Sequence, residues 1–487
     1  MYQTTLEEMR QLSKDYKVVP ISYEMLSDIK TPIEVLKILK NVSSHCYMLE
    51  SVEDQEKWGR YTFLGYNPVM EIACTNGKMT IKNGGKKAYD VTHPGTFIND
   101  ILKEYTSPKI AGLPSFTGGL VGYFSYDYIK YSEPTLDLDA NDEEGFKDVD
   151  LMLFDKVIAF DNLKQKIFVI VNAKTDHIES NYMKAIEDIE SIVALIKEGT
   201  PIDVKPAKVT SEFRKLFEKE QYCDMVNKAK EYIYEGDIFQ VVLSNRLEAD
   251  FEGSLLNAYR VLRTTNPSPY MFYFSSDDIE VAGASPETLV KLEDGELHTF
   301  PLAGTKPRGN TEEEDNTLEA ELLNDEKELA EHNMLVDLGR NDLGKISKFG
   351  TVEVESYMSV EKFSHVMHIG STVKGQIRDD KCALDAVDAV LPAGTLSGAP
   401  KIRALEIINE LENNKRGIYG GAIGYIDFTG NLDTCIAIRI AFKKNGKVFV
   451  RSGAGIVADS VPEKEYEECI NKAKAVMIAL EASGEVV

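Results

Sequence analysis

The chain has 487 residues, of which 43% are hydrophobic and 28% are charged, as in an ordinary globular protein. These values exclude a disordered, collagen-like or disulfide-rich chain. Acidic residues number 80 and basic residues 55, and the formal net charge of −25 argues against nucleic acid or an anionic membrane as the partner. At ~100–200 residues per domain, the length predicts roughly two to four folding units.

The cysteines and the N-terminal residues indicate where the protein resides. None of the six cysteines stands in a C-x-x-C pair, which indicates reduced thiols rather than a disulfide or zinc framework. Residues 1–20 have mixed charge and no apolar segment, and no apolar run approaches the ~18 residues that span a bilayer. We therefore expect a cytoplasmic protein.

The first part of the chain reads as strands followed by one helix. Asn-Gly pairs at 76–77 and 83–84, set between alternating residues, predict hairpins over 71–91. Helical spacing of apolar residues follows at 181–198. Residues 199–210 contain two prolines and no periodicity, so we predict a linker and a boundary near 205. Further strand patterns lie at 118–129, 150–162 and 165–174.

The two predicted domains are therefore residues 1–205 and 206–487. In the second, the strand patterns occur as neighbouring pairs, and Asn445-Gly446 predicts a hairpin turn. This arrangement indicates an α+β fold with large, mostly antiparallel or mixed sheets packed with helices. Helices are predicted at 219–235, 325–340, 400–412 and 463–482, and strands at 238–248, 270–274, 279–283, 420–428, 432–442 and 446–452.

Two predicted helices each present a pair of glutamates on one face. In helix 325–340, Glu328 and Glu331 share a face with Leu335 and Leu338. Carboxylates at the margin of a core need a partner or a metal ion. A solvated helix surface is the alternative interpretation for any single pair.

The last helix repeats this arrangement. Pro462 suits its first turn, and Glu465, Glu468 and Lys472 follow on one face. Glu468 and Lys472 can also form a simple ion pair one turn apart. Two such glutamate pairs together indicate an oxygen-rich site for Mg²⁺, which takes one or two carboxylates and an anionic group of the substrate.

Two glycine-rich segments allow more than one interpretation. Residues 391–401 form either a plain turn or an anion site at a helix N-terminus, and they lack the P-loop spacing. Residues 452–459 contain G-x-G-x-x-A, but a strand pattern resumes where a dinucleotide site requires a helix. These glycines are more typical of close backbone approach to a ligand. No nucleophile triad or H-E-x-x-H motif supports a hydrolase.

The strongest indication of function is a resemblance to the chorismate-utilising enzymes. It implies that family's two-layered, sandwich-like fold and chorismate as the substrate. The matching segments cover essentially all of residues 210–487 in order, with shorter matches at 48–51, 59–65 and 116–119. The main segments are 283–290, 301–309, 328–342, 393–401, 416–425, 433–439 and 452–473.

Two positions favour the anthranilate-forming branch of this family. Gln240 stands where relatives that add water have a basic lysine, and an amide cannot accept a proton near neutral pH. Ala303 stands where the aminodeoxychorismate-forming branch has a nucleophilic lysine. The resemblance thus implies that ammonia adds to the ring carbon beside the carboxyl-bearing one, and that pyruvate is then eliminated. The alternatives are the aminodeoxychorismate-forming branch and a non-catalytic amino-acid-binding regulatory subunit.

The same resemblance assigns roles to individual residues. Mg²⁺ would be held by Glu331 and Glu468, with Glu465 as a neighbour. Glu328 would be the acid for loss of the ring hydroxyl and His368 the base for elimination of pyruvate. Thr395 and Gln240 complete the expected catalytic set. The expected substrate contacts are Gly304, Thr305, Tyr419, Arg439, Gly453, Ala454 and Gly455.

The resemblance also implies a partner and an effector. None of the cysteines has the G-x-C-x-G setting of a glutaminase, so we expect a separate glutamine amidotransferase subunit that supplies ammonia, in a hetero-complex such as a heterotetramer. Feedback inhibition by L-tryptophan, the end product of the pathway, is expected through a pocket that bridges the two halves. Its expected contacts are Glu50, Ser51, Pro269, Tyr270 and Met271.

Overall fold

Two large β-sheets form the centre of the protein, in a computed structural model that describes residues 2–51, 59–362 and 366–486. The strands are β1 (Tyr2–Gln3), β2 (Val18–Leu26), β3 (Cys46–Glu50), β4 (Tyr61–Tyr66), β5 (Met70–Thr75), β6 (Lys78–Lys82), β7 (Lys86–Asp90), β8 (Gly119–Phe124), β9 (Val149–Phe154), β10 (Lys156–Asp161), β11 (Lys166–Lys174), β12 (Lys208–Val209), β13 (Arg214–Lys215), β14 (Gln240–Glu252), β15 (Tyr270–Ser275), β16 (Glu280–Ser285), β17 (Thr288–Glu293), β18 (Glu296–Thr299), β19 (Leu302–Pro307), β20 (Glu353–Lys362), β21 (Val366–Gln376), β22 (Gly398–Ala399), β23 (Ala422–Asp427), β24 (Leu432–Ile436), β25 (Ile440–Lys444) and β26 (Lys447–Ile456).

Helices cover the outer faces of these sheets. They are α1 (Leu6–Leu12), α2 (Pro32–Val42), α3 (Pro94–Lys103), α4 (Ile178–Glu198), α5 (Lys219–Glu235), α6 (Leu256–Thr265), α7 (Glu312–Leu323), α8 (Glu326–Gly344), α9 (Ala383–Val390), α10 (Lys401–Glu412) and α11 (Pro462–Ala482). Short 3₁₀ turns occupy Tyr126–Tyr131, Gly394–Leu396 and Ser483–Glu485.

The first sheet has 14 strands and the second has 12. The first runs β1-β2-β11-β10-β4-β3-β15-β16-β25-β26-β14-β12, with β13 and β22 also paired to β14. The second runs β19-β21-β18-β17-β24-β23-β8-β9-β5-β6-β7, with β20 paired to β21. The ladders between these strands are antiparallel, which confirms the predicted α+β class with large antiparallel sheets.

The two sheets face each other across an aromatic core. Phe154 from the second sheet and Phe63, Phe272, Phe274 and Phe442 from the first are buried in one hydrophobic cluster. A second cluster packs α2, α4, α6 and α11 on the outer face of the first sheet, and a third packs α3, α8 and α9 on the second. The sandwich prediction is thereby confirmed, with a helical layer outside each sheet.

Residues 199–207 connect α4 to β12 without a helix or strand. Strands from before and after this connection occur in both sheets; β3 pairs with β15, and β8 pairs with β23. The two halves of the sequence therefore share one pair of sheets. The division at residue 205 stays a prediction.

Local signals in the sequence set several elements. Asn445 and Gly446 have φ of 52° and 74° and form the tight turn between β25 and β26, as predicted. Pro462 begins α11, where its missing N–H costs nothing. Helix α5 matches its predicted bounds of 219–235.

The predicted strand over 432–442 is wrong as a single element. It is two strands: β24 belongs to the second sheet and β25 to the first. Between them the chain crosses from one sheet to the other, and Arg439 has a φ of 51° at the crossing. Alternation of side chains cannot reveal such a change of partner, because both strands show the same pattern. The strand predicted over 118–129 likewise ends early, at Phe124, where a 3₁₀ turn follows.

All six cysteines are free thiols, and Cys46, Cys74, Cys435 and Cys469 are buried. In the described part of the chain, no helix combines the length and the apolar character needed to cross a membrane.

Candidate active site

Helix α8 carries the first pair of predicted glutamates. The Asp325 carboxylate accepts hydrogen bonds from the backbone N–H groups of Lys327 and Glu328, at 3.1 and 3.3 Å, and so fixes where the helix begins. The Glu328 carboxylate lies beside Gly304 of β19, where a Cβ would be 3.2 Å from Oε2 of Glu328. Gly304 has a φ of 64°, a conformation that glycine adopts without strain. Thr305 follows it in β19.

His368 lies on β21, which pairs with β19. Its Nδ1 is 2.7 Å from the carbonyl oxygen of Gly304. A carbonyl only accepts, so Nδ1 carries the hydrogen and Nε2 of the neutral ring carries the lone pair. Burial lowers the pKa of His368, and the nearby Arg439 guanidinium lowers it further. The ring is therefore a neutral imidazole that can accept a proton at Nε2.

Gly455 of β26 provides room for two side chains from other elements. The Gln240 amide, at the start of β14, donates from Nε2 to Oε1 of Glu331 at 3.3 Å. A Cβ on residue 455 would lie 2.6 Å from that nitrogen and 4.0 Å from Oε1 of Glu331. A side chain here would displace the Gln240 amide from Glu331, so Gly455 keeps this contact in place. Close approach of these glycines to a ligand stays a prediction.

Gly453, two residues earlier on β26, contacts a different group. A Cβ there would be 3.1 Å from the Tyr419 hydroxyl. Its carbonyl accepts a hydrogen bond of 3.1 Å from Lys472, whose ammonium also pairs with Glu468 at 2.7 Å. The predicted ion pair between Glu468 and Lys472 is confirmed, and it brings α11 onto the glycine segment. Ala454 between the two glycines is fully buried.

A buried network of charged side chains stabilises the strands that carry Gln240 and the glycines at 453 and 455. The Glu412 carboxylate accepts hydrogen bonds from Arg416 at 2.6 Å, from Arg451 at 2.7 Å and from the Ser244 backbone N–H at 2.7 Å. Each of the three charged side chains is 1% exposed, so their pairing is needed to offset the loss of hydration. The network ties β14 and β26 to α10.

Sequence reasoning missed Glu287, which the structure brings next to the predicted residues. The Thr395 hydroxyl donates to its carboxyl at 3.1 Å. Burial raises the pKa of Glu287 to about 8, although Thr395, Arg439 and Lys472 each lower it. No periodicity marks a single glutamate after Pro286, and the only signal was its place in one of the segments that carried the family resemblance.

Four glutamates from two helices face the same region and repel one another. Burial raises the pKa of Glu328, and the charges of Glu331, Asp325 and Glu468 raise it further. Burial also raises the pKa of Glu465, and Glu468 adds to the effect. These oxygen donors fit Mg²⁺, whose charge would relieve the repulsion. In this structure the four carboxylates are farther apart than the ligands of one metal ion, and the Glu468 carboxylate pairs with the Lys472 ammonium instead.

The predicted effector residues meet at the ends of two paired strands. Glu50, at the end of β3, pairs in register with Met271 of β15. Its carboxylate accepts hydrogen bonds from Tyr259 at 2.5 Å and from Arg263 at 2.6 Å. Ser51 follows β3, and Pro269 precedes β15.

Tyr270 connects this region to the second sheet. Its hydroxyl donates to Asp433 at 2.8 Å and lies 2.9 Å from the Thr288 hydroxyl. Thr288 follows Glu287 in the chain, so the strand end that carries Tyr270 touches the residue next to the buried carboxyl.

In the glycine-rich segment 391–401, the basic side chain is paired within the fold. This residue, Lys401, is buried, pairs with Asp342 at 2.6 Å and donates to the Val390 carbonyl at 3.0 Å. Its charge is therefore neutralised within the fold, and the segment contributes Thr395 instead.

Comparisons with known proteins place the chain in a family. The profile of the family described as chorismate binding enzyme matches residues 44–478. An anthranilate synthase component 1 from Acetivibrio thermocellus is 47% identical, over 100% of both chains. The crystal structure of anthranilate synthase component I from Streptococcus pneumoniae has a TM-score of 0.77 at 38% identity, over 93% of this chain and 98% of that one. The menaquinone-specific isochorismate synthase from Escherichia coli shares the fold, with a TM-score of 0.70 at 19% identity over 98% of each chain.

Proposed function

The chain belongs to the chorismate-binding enzyme family, and we propose that it is the large subunit of an anthranilate synthase. It would convert chorismate and ammonia into anthranilate, pyruvate and water, the first committed step toward L-tryptophan. Full-length identities of 43–47% to anthranilate synthase component 1 from several bacteria support this activity over others in the family.

The observation that carries the choice of nucleophile is the contact between Gln240 and Glu331 over Gly455. Water must lose a proton before it attacks, and a basic side chain usually takes that proton. The Gln240 amide has no such capacity, whereas ammonia attacks without a base. Ala303 has only a methyl side chain, so it cannot form a covalent link to the ring.

The remaining residues can hold chorismate by its two carboxylates. Tyr419 and the Arg439 guanidinium would bind the enolpyruvyl carboxylate, to which a planar cation is well matched. Backbone N–H groups of 453–455 would face the ring carboxylate, with Gly304 and Thr305 as further contacts. Mg²⁺ held by Glu331 and Glu468, with Glu465 as a neighbour, would supply a positive charge at that carboxylate and polarise the conjugated ring.

Two carboxyls can give a proton to the departing ring hydroxyl. Glu328 is the candidate from the family resemblance. Glu287 is the candidate from its surroundings, because a pKa of about 8 leaves it protonated at neutral pH. We assign the proton donor to Glu287 and a place beside the metal to Glu328. A buried acid that is already protonated needs no further change before it donates.

His368 would complete the reaction. After nitrogen has added, a base must remove the proton from the ring carbon that now bears the nitrogen. The enolpyruvyl group leaves in the same step and becomes pyruvate. Neutral His368 can accept this proton at Nε2, and the Gly304 carbonyl on Nδ1 stabilises the imidazolium that forms.

Regulation and ammonia supply complete the proposal. We propose a separate glutamine amidotransferase subunit as the ammonia source, since the relatives named component 1 imply a second component. L-Tryptophan would bind at Glu50, Ser51, Pro269, Tyr270 and Met271, where β3 ends beside the start of β15. An effector there would act on catalysis through Tyr270 and Thr288, which adjoin Glu287.

An ammonium assay tests the function without the partner. Purified chain, chorismate, Mg²⁺ and excess ammonium salt should yield anthranilate fluorescence and an equal amount of pyruvate. An aminodeoxychorismate product would instead assign the chain to the branch with the nucleophilic lysine. Absence of turnover in a folded protein that binds L-tryptophan would favour the regulatory-subunit alternative.

A further inference from the structure

Three potential metal ligands lie close together at the end of β3 and β15 opposite to the predicted effector residues. His45 precedes β3, Asp277 lies in the turn between β15 and β16, and Glu71 belongs to β5 of the other sheet. One ligand atom of each lies within 4.8 Å of the other two, and among the described residues this is the one group of three with that spacing. The cluster therefore joins the two sheets.

Hydrogen bonds orient the His45 ring toward the carboxylates. Ser44 Oγ donates its one hydrogen to Oδ1 of Asp277 at 3.0 Å, because a carboxylate can only accept. The same oxygen must then accept from Nδ1 of His45, also at 3.0 Å. Nδ1 thus carries a hydrogen, and Nε2 is the ring nitrogen that faces the two acids and can bind a metal ion between them.

The facing atoms are all electron-rich. Nε2 of His45 is 3.4 Å from Oε2 of Glu71 and 3.8 Å from Oδ2 of Asp277. This nitrogen is buried and makes no hydrogen bond. Two carboxylate oxygens and a ring nitrogen this close together are stabilised by a positive charge among them, which a metal ion, the Lys82 ammonium or a proton on Nε2 can supply.

The spacing suits a tetrahedral ion. Bonds of about 2.0–2.2 Å to nitrogen and carboxylate oxygen put neighbouring ligand atoms roughly 3.3–3.6 Å apart. The separation of His45 from Glu71 already meets this value. The separation of His45 from Asp277, at 3.8 Å, is slightly longer, and the Asp277 side chain is 61% exposed and so can adjust.

We infer that His45, Glu71 and Asp277 form a binding site for a divalent transition-metal ion of the zinc type, with water as the fourth ligand. One imidazole and two carboxylates favour such an ion over Mg²⁺, which prefers oxygen ligands alone. The ion joins the start of β3 and the β15–β16 turn to β5, and it stabilises the folded chain in proportion to its binding.

The Lys82 ammonium competes with a metal ion for the carboxylates of Glu71 and Asp277. Its ammonium is 3.0 Å from Oε2 of Glu71 and 3.8 Å from Oδ2 of Asp277, and its side chain is 45% exposed. The ammonium supplies the positive charge in the metal-free protein and moves into solvent when an ion binds. Removal of this lysine should therefore strengthen metal binding.

Cobalt(II) is a suitable probe, because its visible spectrum reports coordination. We expect the full chain in excess Mg²⁺ to give tetrahedral d–d bands without a thiolate charge-transfer band. His45→Gln and Asp277→Asn should each weaken binding on the order of 10- to 100-fold or more. Lys82→Met should tighten it. Asp278→Asn should leave it unchanged, because Asp278 pairs with Lys147 at 3.0 Å instead of facing His45.

Several outcomes would overturn the site. One is the absence of a tetrahedral cobalt spectrum in the wild-type chain, and another is a thiolate charge-transfer band. The third is equal cobalt affinity in the wild type and both ligand variants. Glu331→Gln separates this site from the proposed catalytic one, since cobalt binding at His45 should survive that substitution. Asp277→Asn lies in an exposed turn, so its result remains readable if His45→Gln fails to fold.

Discussion

The Thr395 hydroxyl donates a hydrogen bond of 3.1 Å to the carboxyl of Glu287. This contact opposes the effect of burial, because a donor stabilises the ionised carboxylate while exclusion of water favours the protonated form. Burial is the larger effect, and the pKa of Glu287 is about 8. The pair therefore holds a protonated acid within the candidate site at neutral pH.

Glu287→Gln should retain the shape of this acid and remove its proton. We expect kcat to fall by roughly 10²- to 10⁴-fold with little change in KM, the loss typical of a missing general acid. Steady-state assays with ammonium and chorismate measure this. Glu328→Gln is the matched comparison, and a larger loss of kcat there than at Glu287 would return the acid role to Glu328.

The pH dependence of kcat should reveal the same group. An acid must be protonated to act, so activity should decline as pH rises through about 8. Thr395→Val removes the hydroxyl that lowers the pKa of Glu287. The alkaline limb should therefore move to higher pH in this near-isosteric variant. A limb that stays in place or moves to lower pH would show that Glu287 does not control it.

Gly455→Ala should damage the site without unfolding the chain. The added methyl would lie 2.6 Å from Nε2 of Gln240, so the amide must leave Glu331. We expect a loss of kcat/KM of at least 10-fold with a small change in Tm. Gly344→Ala is the control, since a Cβ there meets no atom within 4 Å. Equal kinetics in the two variants would remove the argument for close packing at Gly455.

Mg²⁺ should stabilise the protein through the glutamates of α8 and α11. Burial, and to a smaller extent mutual repulsion, raises the pKa of Glu328 and Glu465. A bound cation would offset that repulsion in the folded state, so Tm should rise with added Mg²⁺. Glu331→Gln should abolish both this rise and most of the turnover, and chelation should inactivate the wild type. A Mg²⁺-dependent Tm that persists in Glu331→Gln would place the ion elsewhere.

Ser51→Ala should weaken inhibition by L-tryptophan and leave the uninhibited rate unchanged. Ser51 follows the strand whose last residue, Glu50, pairs with Met271. We expect the concentration for half-inhibition to rise several-fold in the ammonium assay. Ser276→Ala, just beyond the other end of β15, should be inhibited by L-tryptophan like the wild type. An unchanged inhibition curve in Ser51→Ala would count against the proposed pocket.

Much of the candidate site was accessible from local patterns. Helical spacing placed Glu328 with Glu331 and Glu465 with Glu468 on common faces, and the glycines at 453 and 455 indicated close approach. Glu287 gave no such signal. Its acidity depends on Thr395, 108 positions away, and on the exclusion of water by several elements.

Patterns along the chain were enough to predict the bounds of α5, the turn at Asn445-Gly446 and the class of fold. Each depends on residues within a few positions of one another. Three features emerge from the folded arrangement alone: the chain crosses between sheets at Arg439, both halves of the sequence share the same two sheets, and Glu287 is buried. These features depend on which distant segments exclude water from each other, and periodicity along the chain carries no information on that.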